Sequence, residues 1–179
     1  MTVSIDSCFV KENNLSFDIE GLVGAALSED VATGDITAAL INSDKVVGAT
    51  IITRDNAVIC GVDCVMEVFK QVDPSVEVVA QVADGEEVCP NQVLFELKGR
   101  ACSLLTGERV ALNFLQMLSA TTTVTRSYVT RIQHTKTKIL DTRKTIPGFR
   151  YLQKYAVKCG GGMNHRFGLF DAFLIKENH

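Results

Sequence analysis

Residues 101–134 contain no proline and a single glycine, Gly107, and their apolar members Leu104, Leu105, Ala111, Leu112, Leu115 and Leu118 fall on one helical stripe. A segment of this kind predicts one long helix, or two joined near Ser119 to Thr123. Arg109 projects from the flank of that stripe, where its guanidinium can reach outward. Upstream, Ile19, Leu22, Val23, Ala26 and Leu27 predict an amphipathic helix over 17–31. TGDIT at 33–37 reads as a turn, the β-branched run 46–55 as a strand and AVICG at 57–61 as extended chain. Residues 62–72 return to a helical period, and short strands follow around 76–82 and 92–97. The first hundred residues are thus expected to form a mixed α+β unit.

Downstream of the long helix the pattern changes. KILD at 138–141 predicts a strand, residues 147–159 a helix with Pro147 in its first turn, and DAFLIK at 171–176 a second strand. Strand, loop, helix, loop, strand is the repeat of a parallel α/β fold, in which ligands gather at the carboxyl ends of strands.

Charge is divided along the same line. Residues 1–125 hold 7 basic and 18 acidic side chains and residues 126–179 hold 11 and 3, so a net charge of −11 precedes one of +8. A positive block beside an acidic one implies an anionic ligand for the later part. Its cations are interleaved with apolar residues and glycine, without stacking aromatics or a recognition motif, which argues against nucleic acid and for small phosphorylated or carboxylated molecules. The expected strand ends are cationic: Arg143 and Lys144 follow the first, Lys176 closes the second, and KCGGGMNHRFG between them supplies His165 and Arg166. Planar guanidinium forks suit carboxylates and phosphates, and lysine adds compact charge, so these residues predict a pocket for a multiply anionic substrate. The glycine triplet also fits a helix C-cap.

The apolar share of 46% and mean hydropathy of +0.16 exclude disorder as the main state. Residues 1–14 lack the basic and apolar stretches of a secretion signal, and no apolar run approaches a membrane span, so a cytoplasmic protein is expected. Six cysteines (Cys8, Cys60, Cys64, Cys89, Cys102, Cys159) lie in apolar surroundings with no zinc-ligand spacing; mostly buried, reduced thiols and no metal site are expected.

LLTGERVALNFLQMLSATTT at 104–123, KILDTRKTIPGFRYLQKYAVKCGGGMNHRFG at 138–168 and DAFLIKENH at 171–179 resemble the quinolinate phosphoribosyltransferase family, also called carboxylating nicotinate-nucleotide pyrophosphorylases. GDIT at 34–37 and the ADGEEV turn are similar to the family's N-terminal domain. The resemblance implies an α/β protein: an α+β N-terminal domain of the hammerhead or sandwich type over 1–113, then the first part of an α/β barrel over 114–179. It implies a cytoplasmic enzyme of NAD biosynthesis that moves the phosphoribosyl group of phosphoribosyl pyrophosphate onto quinolinate, releasing pyrophosphate and CO2, with Mg2+ on the donor.

By the same resemblance Arg143, His165 and Arg166 would grip the two quinolinate carboxylates with Thr142 beside them. Lys144 and Lys176 would face the donor phosphates as the catalytic cations. Arg109 would reach into a neighbouring subunit's site, which implies a dimer. The family's later acidic residues and phosphate loops have no counterpart here, so a fragment that is inactive by itself is expected. Two alternatives stand beside this reading: a non-catalytic truncated subunit that binds or dimerises, and a related phosphoribosyltransferase with a different acceptor.

Overall fold

A computed structural model describes residues 17–42, 44–175 and 177. The expectations placed on residues 1–14, on Cys8 and on Lys176 therefore lie outside the described residues. Helix α1 spans Ile19–Val31 and starts where the Asp18 carboxylate accepts the Gly21 N–H at 2.7 Å. The GDIT turn follows. In it, Asp35 accepts the Thr37 and Ala38 N–H groups at 3.0 and 2.8 Å, which winds a short 3₁₀ turn over Ala38–Leu40. Its second oxygen takes the Thr106 hydroxyl at 3.0 Å, tying the turn to the long helix.

Strand β1 (Val46–Ile52), β3 (Glu77–Ala80) and β5 (Val93–Arg100) form an antiparallel sheet in the order β1-β5-β3. The short strands β2 (Ala57–Val58) and β4 (Glu87–Val88) pair separately. In the central strand Phe95 and Leu97 point inward while Glu96 and Lys98 face out, the alternation of a sheet covered on one side. Helix α2 (Val62–Val72) and helix α3 (Ala101–Ile132) cover that side. The lone glycine of α3 has a steric cause. A Cβ on Gly107 would sit 2.8 Å from Cε1 of the buried Phe69, so only glycine lets α2 and α3 approach this closely.

Helix α3 is a single helix of 32 residues, without the break that Ser119 to Thr123 allowed. Those hydroxyls are used sideways instead. Ser119 Oγ accepts the Cys60 N–H at 3.0 Å, Thr123 Oγ1 accepts the Val58 N–H at 2.9 Å, and Thr122 Oγ1 donates to Ala156 O at 3.0 Å. The boundary expected at 113/114 lies inside this helix. Helix α4 (Arg150–Cys159) packs Leu152, Tyr155 and Ala156 into the same buried cluster as Phe69, Phe95, Ala111, Leu115 and Leu118, so both halves of the chain share one core.

Three local expectations are corrected. Helix α4 starts at Arg150 rather than Pro147, because Gly148 at φ +76° turns the chain ahead of it and Gln153 Oε1 accepts the Ile146 N–H at 2.8 Å. KILD is not a strand: it contributes one parallel bridge, Leu140 to Met163. DAFLIK is not a strand over its described part, 171–175, and Phe173 is 99% exposed. A β-ladder needs a partner for its backbone groups, and among the described residues 171–175 has none, so β-branched and aromatic composition alone cannot hold it extended.

The junction between β5 and α3 is held by Asp73. Its Oδ2 accepts the Ser103 hydroxyl at 2.7 Å and Arg100 Nη2 and Nε at 2.8 and 3.0 Å, while Oδ1 accepts Ser75 Oγ at 2.7 Å and Ser75 N at 3.0 Å. The Ser103 hydroxyl foremost, then Ser75 and Arg100, hold this carboxyl well below the usual range. The folded value therefore lies under the unfolded one, about 3.9. The ionised form adds stability that is complete above that value and drains away as the pH falls towards the folded one. Acidification from about pH 5 to about pH 2 should accordingly lower the Tm of the parent chain more than that of Asp73→Asn, read by circular dichroism melts.

Candidate active site

Two loops lie side by side beyond α3. The backbone of 139–141 pairs with Met163: Met163 N donates to Ile139 O at 2.9 Å and Asp141 N donates to Met163 O at 3.1 Å. That short parallel pairing sets the 142–145 loop beside Asn164, His165 and Arg166. What locks it is a buried polar knot. Lys154, 1% exposed along its side chain, reaches from α4 to pair with Oδ1 of Asp141, itself 6% exposed, and donates to His165 O at 2.9 Å. Asp141 also accepts Asn164 Nδ2 at 2.6 Å and the His165 N–H at 2.9 Å, and Asn164 Nδ2 lies 2.9 Å from Lys154 O. The ring of Phe167 sits 4.9 Å from the ammonium.

Arg150 makes a second tie, from Nε to Thr145 Oγ1 and from Nη1 to Phe167 O, both at 3.1 Å. A third closes the glycine triplet. Gly160 N donates to Ala156 O at 3.0 Å as the C-cap of α4, and Arg126 from α3 donates to Gly160 O and Cys159 O, both at 3.1 Å. The triplet packs tightly: a Cβ on Gly160 would meet Thr125 Cβ at 2.6 Å and Thr122 O at 2.7 Å. Gly160→Ala should therefore destabilise the chain by about 1–3 kcal/mol, measured by denaturant unfolding, since neither backbone nor β-branched side chain can yield cheaply.

On this frame the expected site residues take unequal places. Thr142 is exposed, and its Oγ1 accepts the Lys144 N–H at 3.1 Å. The Lys144 and His165 side chains are exposed and make no hydrogen bond among the described residues. Arg166 is half-buried and donates Nη1 to Ala172 O at 3.2 Å, which commits part of its fork to the chain that follows. Arg143 is also half-buried, and its Nε is the one buried side-chain nitrogen or oxygen without a partner among the described residues. Thr142, Arg143, Lys144, His165 and Arg166 are thus carried on two adjoining segments. Arg109 stands apart, exposed on α3 and without a hydrogen bond or ion pair among the described residues.

A guanidinium nitrogen removed from water with no acceptor carries a desolvation penalty that an anion would remove. No carboxylate of the described residues supplies it. Asp141 is consumed by the knot, and Asp171 accepts the Phe167 and Gly168 N–H groups at 2.6 and 2.9 Å. The arrangement therefore suits an external anion held between the two loops.

Residues 35–119 match the family model described as "Quinolinate phosphoribosyl transferase, N-terminal domain", and residues 121–179 match its "C-terminal domain" counterpart. The chain belongs to the quinolinate phosphoribosyltransferase family. Within that family it is 43% identical over 151 residues to a probable carboxylating nicotinate-nucleotide pyrophosphorylase of Bacillus subtilis, covering 84% of this chain and 52% of that protein. It is 39% identical over 166 residues to quinolinate phosphoribosyltransferase [decarboxylating] 1b of Nicotiana tabacum, covering 92% of this chain and 47% of the relative. The solved nicotinate-nucleotide pyrophosphorylase of Francisella tularensis superposes on all of it with a TM-score of 0.89 at 49% identity, using 62% of that structure. The chain spans about half the length of the curated relatives it matches. The likeness to solved family members bears out the α/β architecture expected from the resemblance, with the N-terminal unit followed by a partial barrel.

Sequence reasoning within this quinolinate phosphoribosyltransferase framework missed the residues that build the site's frame: Asp141, Lys154, Asn164, Arg150 and Arg126. One signal was present. Asp141 is one of only 3 acidic side chains beside the 11 cations of residues 126–179, and an acid so outnumbered, set between an apolar run and a cationic loop, implies a dedicated partner. Lys154 lies between Leu152 and Tyr155, a position that reads equally as the flank of an amphipathic helix.

Proposed function

We propose that the two loops bind the carboxylates of quinolinate and the phosphates of phosphoribosyl pyrophosphate, as part of an enzyme that makes nicotinate mononucleotide, pyrophosphate and CO2 for NAD biosynthesis. The observation that carries this reading is the unpartnered buried Nε of Arg143, set beside the exposed His165 and Lys144. The names of the relatives from Bacillus subtilis and Nicotiana tabacum support the same reaction.

In this reading Arg143, His165 and Arg166 hold the pyridine dicarboxylate, with Thr142 at their side. Holding the ring nitrogen in line with the ribose carbon makes the attack effectively unimolecular. Departure of pyrophosphate leaves positive charge on that carbon and negative charge on the leaving oxygens, where Lys144 and Lys176 would stabilise it. Once ribosylated, the cationic ring draws electrons from the adjacent carboxylate and eases loss of CO2. No side chain has to take a proton.

At these loops Asp141 is taken up by the knot and each oxygen of Asp171 already accepts a backbone N–H, so Mg2+ would arrive on the donor's diphosphate. Arg109, exposed on α3, would complete the site of a second copy, which makes the functional unit a dimer. No helix among the described residues is long and apolar enough to cross a membrane. A reducing cytoplasm would suit the five described cysteines, none of which is in a disulfide.

Calorimetry with the 179-residue chain tests the acceptor. Quinolinate should bind much more tightly than nicotinate, which lacks the second carboxylate; equal affinity would overturn the reading. The chain alone should bind without forming product, and turnover matching a full-length relative would refute that part.

A further inference from the structure

Away from the cationic loops, three groups from separate segments meet at the end of α4. The sulfurs of Cys60 and Cys159 and a carboxylate oxygen of Asp84 all lie within 4.8 Å of one another. Cys60 is fully buried just after β2, Cys159 is the last residue of α4 and partly exposed, and Asp84 lies in the turn before β4. Asp84 is already occupied. Its Oδ1 accepts the Gly61 and Val62 N–H groups at 2.8 and 3.0 Å, capping α2, and its Oδ2 accepts the Tyr155 hydroxyl at 2.9 Å. A metal ion would have to share Oδ1 with that cap or Oδ2 with the Tyr155 hydroxyl, whereas the two sulfurs can react with each other and leave Asp84 as it is.

We propose that Cys159 and Cys60 form a reversible intramolecular disulfide, with Cys159 the attacking thiol and Cys60 the resolving one. The sulfurs need to close by less than ~3 Å to reach bonding distance. Their environments assign the order. A hydrogen bond from the Cys60 thiol, foremost, holds the Cys159 sulfur below the ordinary thiol range against the opposing effect of burial. Burial first of all pushes Cys60 up. The residue with the more acidic sulfur is also the less buried of the two.

The oxidant is a low-molecular-weight disulfide such as oxidised glutathione. The Cys159 thiolate attacks one glutathione sulfur, forming a mixed disulfide and expelling glutathione thiolate. The Cys60 thiol then loses its proton to solvent and attacks the Cys159 sulfur, which closes the protein disulfide and releases a second glutathione thiolate. The protein gives up two electrons and two protons, and one glutathione disulfide becomes two thiols. Because the second step is intramolecular, Cys60 needs no exposure. The bond would staple the chain after β2 to α4 immediately before the glycine triplet, where Arg126 already holds Cys159 O at 3.1 Å.

The test uses the 179-residue chain with Cys8, Cys89 and Cys102 replaced by serine, exposed to oxidised glutathione, weighed intact and only then alkylated for peptide mapping. The mass should fall by two hydrogens, with peptides containing Cys60 and Cys159 joined and dithiothreitol reversing the change. Adding Cys60→Ser should halt the reaction at one glutathione on Cys159, and adding Cys159→Ser should abolish both adduct and link. A chain that stays reduced, a link joining Cys60 to Cys64 instead, or stoichiometric bound zinc that blocks oxidation would each overturn the proposal. The first measurement does not depend on either serine variant folding.

Discussion

Replacing Lys154 by methionine is expected to destabilise the chain by about 3–5 kcal/mol, because it strands the Asp141 carboxylate in the interior without its cation. Both side chains are nearly sealed from water, at 1% and 6% exposure, so solvent cannot stand in for the missing ammonium. The His165 carbonyl loses a donor at the same time. Urea unfolding at neutral pH reads the effect. The double variant Lys154→Met/Asp141→Asn should recover part of the loss, since it removes the stranded charge while keeping an acceptor for the His165 N–H. A single-variant loss below ~1 kcal/mol, the range of a surface pair, would mean that water reaches the knot.

Arg143→Ala should weaken quinolinate binding by about 2–4 kcal/mol, roughly 30- to 1000-fold, the usual consequence of truncating one partner of a buried charged contact. Calorimetry on the parent and variant chains measures it. Folding should be nearly untouched, because the Arg143 guanidinium makes no hydrogen bond within the described protein and its Nε is buried unpaired. Arg143→Lys should fall between the two, keeping the charge but losing the fork. A change within error would remove Arg143 from the site.

Those two residues mark where the sequence was legible and where it was not. Arg143 could be found because a cationic loop beside a glycine triplet and His165–Arg166 is a pattern of residue types, and charge survives without knowledge of contacts. Lys154 could not, since its burial depends on Asp141 arriving from a loop thirteen residues earlier, and helical spacing alone leaves it on a flank. The same contrast runs through the backbone. Helices α1, α2 and α3 follow from periodicity, which reports one face of one element, and strand β1 from its β-branched run. The segments 138–141 and 171–175 carry strand-like composition yet lack strand structure, because strands exist only in pairs and pairing partners are set by topology. Gly148 illustrates the local version: its positive φ displaces the start of α4 from Pro147 to Arg150, overriding proline's preference for a first helical turn.

Helix α3 belongs equally to the sheet unit and to α4, and this sets how insertions are tolerated along the chain. One extra residue near Leu118 would swing Thr122, Thr125 and Arg126 by about 100° relative to Leu104 and Ala111, taking the grip on Cys159 and Gly160 out of phase with the strands. The same residue added in the exposed stretch 134–137 would be absorbed as slack. Length variation among descendants of this chain should therefore collect after the rod and avoid its interior.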